Sequence, residues 1–174
     1  GRLSEQKGLD VLMDAWDLLC QHGEPQAQLA IAGSGELNEW LDNRIASSTH
    51  PESITKLGRV KDSEKRWLFE HAKGVLIPSR FEGLPTVLLE AMHAGAPTVM
   101  SNVNDLGRLV TEPNAGLSVQ PGNPSDLLQA IQSLLAADDS QCSTWSENGR
   151  KASLPYLWSN VVEDLLNIYQ RVKT

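Results

Sequence analysis

Two carboxylates with seven residues between them, Glu82 and Glu90, frame the stretch of this 174-residue chain best suited to chemistry. Glu82 follows Arg80-Phe81 in a short polar segment. Glu90 lies within Leu88-Leu89-Glu90-Ala91-Met92, an otherwise apolar helical pattern. A charge is costly in such company unless a ligand or a partner receives it. Between the two carboxylates a helix begins. Pro85 suits its first turn, where a missing N–H costs nothing, and Gly95 with Pro97 beyond it suits its end. The first N–H groups of a helix are unpaired and carry partial positive charge, a natural seat for phosphate. A nucleoside diphosphate seated there would turn its distal phosphate, and whatever hangs from it, toward Glu82. Glu90, about a turn and a half along, would stand nearer the nucleoside. The spacing points to a site for an activated sugar.

The elements that must position these residues alternate between strand and helix signals, which predicts an α/β fold: a Rossmann-like parallel sheet with helices on both faces. Gly74 to Pro78 reads as the strand feeding the polar segment, and Pro97 to Met100 as the strand after the helix. Upstream, Leu9, Leu12, Met13, Trp16, Leu19 and Cys20 recur at helical spacing, with Gly23 able to end that helix. Gln28 to Ala32 reads as a buried strand. Leu37, Trp40, Leu41 and Ile45 mark a second helix, and a strand follows near Ile54 to Leu57. Asp62 or Ser63 can cap a helix carrying Trp67, Leu68 and Phe69. Downstream come a strand at Leu117 to Val119, a helix capped by Ser125 with Leu127, Leu128, Ile131 and Leu134, and a helix then an irregular connection from Asp138 to Leu157. A last helix from about Ser159 uses Val162, Leu165, Leu166 and Tyr169.

Length makes this one domain, large enough to bury its own core. A formal charge of −7, from 22 acidic and 15 basic residues, argues against a nucleic-acid partner, which calls for a basic face. No apolar run approaches the length of a membrane span, and no signal peptide opens the chain. Cys20 and Cys142 are too few for a disulfide framework and lack metal-ligand spacing, so they read as reduced, buried thiols of a cytoplasmic protein. The histidines read as surface or helix-face residues; His93, nearest the carboxylates, has no visible partner.

The segment Pro78-Ser79-Arg80-Phe81-Glu82-Gly83-Leu84-Pro85, followed by Leu88-Leu89-Glu90-Ala91-Met92-His93-Ala94-Gly95-Ala96-Pro97-Thr98-Val99, closely resembles the group 1 glycosyltransferases, retaining enzymes of the GT-B architecture. The likeness runs along nearly the whole chain: Gly1-Arg2-Leu3 with Glu5, Lys7 and Gly8; Leu29 to Glu36; Leu57-Gly58-Arg59-Val60; and Gly116 to Val119 with Pro121-Gly122-Asn123. It implies one half of a GT-B fold, residues 1–174 being the C-terminal domain that binds the nucleotide sugar. Gly1-Arg2 then reads as a strand-to-helix loop, with the first strand of the sheet and an N-terminal acceptor domain both upstream of the chain. In isolation such a fragment is expected to be inactive.

The resemblance also implies roles. Arg2 and Lys7 match a basic pair on the donor diphosphate, offsetting the charge that grows as the nucleoside diphosphate leaves. Glu82 matches the glutamate contacting donor-sugar hydroxyls, and Glu90 the one holding the ribose. The backbone of Gly83, Leu84, Pro85, Thr86 and Val87 would cradle phosphate and sugar, and Gly58, Arg59 and Val60 would lie near the base. A nucleotide-diphosphate sugar is then the substrate, with no further cofactor and no metal. The expected protein is a cytoplasmic glycosyltransferase of glycan or polysaccharide biosynthesis, any membrane contact or acceptor contact being made through the missing domain. Two departures stand out. Pro85 replaces a glycine of the commoner motif and removes a donor. Asn104-Asp105-Leu106-Gly107-Arg108 stands where the family often has Gly-Gly-x-x-Glu, and no role is assigned to it. The alternatives are a nucleotide-sugar epimerase-like domain and a non-catalytic α/β interaction module.

Overall fold

In the computed structural model, which describes residues 1–21 and 27–172, strands and helices alternate along the chain. Strands β1 (Leu29–Ala32) and β2 (Ile54–Gly58) form one parallel pair. Strands β3 (Val75–Ile77), β4 (Thr98–Ser101) and β5 (Gly116–Val119) form a parallel sheet in that order. The parallel strands agree with the sequence reading, but they fall into two sheets rather than one. Residues 1–3 run beside the end of β1: the Gly1 amine donates to Ala32 O at 2.8 Å, Leu3 N donates to Ser34 O at 3.1 Å, and Arg2 bridges Ser34 in parallel.

Helices α1 (Leu9–Gln21) and α6 (Pro124–Ala136) pack against each other on one face. Their buried residues, among them Leu12, Met13, Trp16, Leu127, Ile131 and Leu134, join Leu29, Ile31, Ile54 and Val99 in one core. A second core holds Ile77, Leu88, Met92, Met100, Val110 and Ala115 beneath α4 (Thr86–Ala94) and α5 (Arg108–Thr111). Val99 and Met100 are neighbours on β4 and enter opposite cores, as alternation along a strand requires. Helices therefore cover both faces, and all of β4 is buried. Helices α7 (Asp139–Ser153) and α3 (Asp62–His71) pack on α4, while α2 (Asn38–Ala46) adds Leu41 to the first core. Helix α8 (Trp158–Val172) follows a turn at 154–156 and leaves Trp158, Leu165, Leu166 and Tyr169 exposed.

Several local expectations shift. Pro85 is the N-cap of α4, not part of its first turn, with φ −73° and ψ 103°. The caps of α3 and α6 are Lys61 and Asn123 rather than Asp62 or Ser63 and Ser125. Glu64 takes the Lys61 N–H at 2.6 Å, and Asn123 Oδ1 takes Asp126 N at 3.1 Å, with Pro124 opening the helix. Strand β1 is not buried throughout: Ala30 is exposed between Leu29 and Ile31, because alternate residues face opposite sides and only the side of Leu29 and Ile31 joins the core. Cys20 is buried as a free thiol, whereas Cys142 is only half-buried. Gly23, the proposed end of α1, lies outside the described residues. Gly95 does end α4, at φ 85°.

Candidate functional site

The loops after β1, β2, β3 and β4 leave the same edge of the sheets, the edge where parallel α/β folds bind ligands. Glu82 stands on the loop after β3. It is 8% exposed, and its Oε1 accepts from Ser79 Oγ at 2.7 Å and from Lys7 Nζ at 2.5 Å. Its Oε2 accepts nothing among the described residues. Lys7 reaches it because a 3-10 turn at Glu5–Lys7 is stitched to the loop. Arg80 N donates to Gln6 O at 2.8 Å, Gln6 Nε2 donates to Phe81 O at 3.0 Å, and the Arg80 guanidinium pairs with Asp10. Gly8 closes that turn at φ 62°, where a Cβ would stand 2.0 Å from Pro78 O. Only glycine permits this approach.

Glu90 is held differently. It lies on α4, its side chain 43% exposed, and its Oε2 pairs with Lys65 Nζ of α3 at 3.0 Å. Lys65 also pairs with Asp62 at 3.2 Å, and the Glu90 carboxylate raises the Lys65 pKa above its usual value. The partner anticipated for a charge in this helix is thus a lysine 25 positions upstream. At the start of α4 no side chain caps the helix, whereas Asn123 and Asp138 cap α6 and α7. Thr86 is exposed and Val87 half-exposed there, Gly83 and Leu84 are exposed, and a Cβ at Gly83 would meet nothing within 4 Å. An open, uncapped helix end between two carboxylates can receive an anion.

The remaining expected residues gather along the same edge. Gly58 carries φ 68°, and its carbonyl accepts from Gly33 N at 2.7 Å. The Arg59 side chain donates from Nε to Ser34 Oγ at 2.7 Å and ties residues 58–60 to the Gly33-Ser34-Gly35 turn. Val60 is half-exposed beside it, and Arg2 is exposed with its backbone bridged to Ser34. His93 is exposed and apart from these groups. Three participants were not assigned from sequence: Ser79, Lys65 and Asn104. Asn104 Nδ2 donates to the Glu82 carbonyl at 3.1 Å, from a backbone at φ 50°, ψ 34°, with Asp105 at φ 63° beside it. The departure from Gly-Gly was the available signal, since both residues occupy the left-handed region that glycine favours.

The sequence profile described as "Glycosyl transferases group 1" matches residues 1–152. The chain belongs to the group 1 glycosyltransferases. An uncharacterized glycosyltransferase of Methanocaldococcus jannaschii is 30% identical to this group 1 domain over 172 residues, covering 98% of the chain and 43% of that relative. Sucrose-phosphate synthase from Thermosynechococcus elongatus superposes with a TM-score of 0.86 at 25% identity, over 99% of this chain and 44% of that one. Anabaena Alr3699/HepE, solved in complex with UDP, gives a TM-score of 0.81 at 23% identity over 99% of this chain and 47% of that one. This glycosyltransferase domain therefore spans less than half the length of these relatives. Membership in a transferase family weighs for transfer over the epimerase alternative.

Proposed function

We propose that this chain is the donor-binding half of a retaining, hexosyl-type glycosyltransferase, receiving a nucleotide-diphosphate sugar from which the full-length enzyme transfers the sugar to an acceptor. The observation that carries the reading is Glu82: a buried carboxylate with one oxygen held by Lys7 and Ser79 and the other free, beside the uncapped start of α4. In this reading the free oxygen accepts from a donor-sugar hydroxyl, and the diphosphate lies on the N–H groups of Thr86 and Val87. Glu90 accepts from the ribose, and the backbone of Gly58 to Val60 lines the base. As the bond from the anomeric carbon to the distal phosphate oxygen breaks, the departing diphosphate gains charge. Arg2, Lys7 and the helix end offset it, with no divalent cation required. The intact set of Arg2, Lys7, Glu82 and Glu90 favours a working site over a retired interaction module.

A two-domain protein is supported by its relatives, which extend to about twice this length. Acceptor contacts, and any contact with a membrane, belong to the other half in this reading. The proposed location is the cytoplasm; no helix among the described residues is long and apolar enough to cross a membrane. With half the cleft outside the chain, residues 1–174 alone should bind a nucleoside diphosphate weakly and transfer nothing. Calorimetry with UDP, GDP and ADP tests the site: heat with at least one is expected, and none with any of the three at millimolar ligand contradicts it.

A further inference from the structure

The side chain of Glu90 is steered from outside its own helix. Lys65, on the first turn of α3, lies 3.0 Å from Glu90 Oε2 and 3.2 Å from Asp62 Oδ1, and is itself two-thirds shielded. The other Glu90 oxygen accepts nothing among the described residues. Helix α3 starts at Asp62, two residues after the segment 58–60 read as base-facing, and its Lys65 reaches across to the carboxylate read as ribose-binding. The Glu82 corner is built on the same plan, with one carboxylate oxygen on a lysine and the other free. The plan has a physical motive in each case. An unpaired carboxylate beside a bound diphosphate would repel it, and a carboxylate free to rotate would lose freedom on meeting a hydroxyl.

We propose that Lys65 is a positioning residue of the donor site: it clamps one oxygen of Glu90, neutralises its charge and leaves the second oxygen turned toward the ribose. The inference rests on the ribose role of Glu90 and adds the residue that prepares it. Lys65 touches the nucleotide only through Glu90, so its removal should act on binding rather than on the chemical step.

The test uses the full-length enzyme and whichever of UDP, GDP and ADP binds it best, comparing wild type, Lys65→Met, Lys65→Arg, Glu90→Gln and the Lys65→Met/Glu90→Gln double variant. Lys65→Met should weaken the diphosphate about three- to tenfold and raise KM for the donor equally, with kcat within about twofold, because the pair is partly exposed. Lys65→Arg should recover most of the loss. The double variant should bind about as well as Glu90→Gln, since the two residues act as a unit. Wild-type affinity in Lys65→Met together with weakened binding in Glu90→Gln would reduce Lys65 to a tie between α3 and α4 and leave the ribose role standing. Multiplying losses in the double variant would mean that Lys65 meets the ligand directly, which overturns the positioning role. A drop in melting temperature without loss of affinity overturns it as well. If Glu90→Gln also binds normally, or no diphosphate binds at all, the ribose role falls and this inference with it.

Discussion

Glu82 and Glu90 share one loop-and-helix unit, yet the first side chain is 7% exposed and the second 43%. Around Glu82 the backbone does much of the holding: the turn at 5–7, the close approach of Gly8 to Pro78, and the Asn104 amide on its carbonyl all fix the loop. Around Glu90 a helix surface and one lysine suffice. A rigid, dehydrated acceptor suits a contact that must hold through bond breaking, because preorganised groups spend nothing on reorganisation at that moment. A partly solvated ion pair suits recognition of a hydroxyl that stays the same throughout.

The comparison is sharpest in its glycines. Gly8→Ala adds a Cβ 2.0 Å from Pro78 O at φ 62° and should cost roughly 3 kcal/mol of stability in the full-length protein. Gly58→Ala, at φ 68° with nothing within 4 Å of the new Cβ, should cost about 1 kcal/mol, the left-handed penalty alone. Chemical denaturation of both variants measures the difference. Equal costs would show that close backbone packing does not distinguish the Glu82 corner.

Lys7→Met comes next. It leaves the buried Glu82 carboxylate with Ser79 as its side-chain partner, and kcat/KM should fall by about 10- to 100-fold, the range of a lost charge-assisted contact. Steady-state kinetics with varied donor decides, and unchanged kinetics would make the Lys7–Glu82 pair ornamental. Asn104→Gly should do least. It removes a hydrogen bond to the Glu82 carbonyl but relieves a left-handed backbone, and these terms of about 1 kcal/mol each oppose one another. Asn104→Ala keeps the strain and loses the bond, so it should be the less stable of the two. The reverse order in thermal melts would remove Asn104 from the support of the loop.

Much of this architecture is legible in the sequence. The 3.6-residue period of α1 and α6, the apolar run of β4 and the paired glutamates are all local signals, carried by neighbours in the chain. What escaped is non-local or finely local. Lys65 and Glu90 meet only because α3 packs on α4, and Arg59 meets Ser34 only because β1 pairs with β2. The family resemblance points Lys7 toward a diphosphate, but that it stands on Glu82, 75 positions away, follows from the tertiary fold. The caps moved by one or two residues because Asn123 and the Lys61 N–H found partners within the first turn that composition alone does not rank.

The division of labour between the carboxylates is the central claim, and calorimetry of free nucleoside diphosphate binding to full-length Glu82→Gln and Glu90→Gln tests it most directly, read beside kcat/KM. Glu82→Gln should bind the diphosphate within about threefold of wild type while transfer falls by at least about 30-fold, because the sugar is absent from that ligand. Glu90→Gln should lose about five- to twentyfold in affinity for the same ligand. Abolished nucleotide binding in Glu82→Gln, with Glu90→Gln indistinguishable from wild type, would contradict the account.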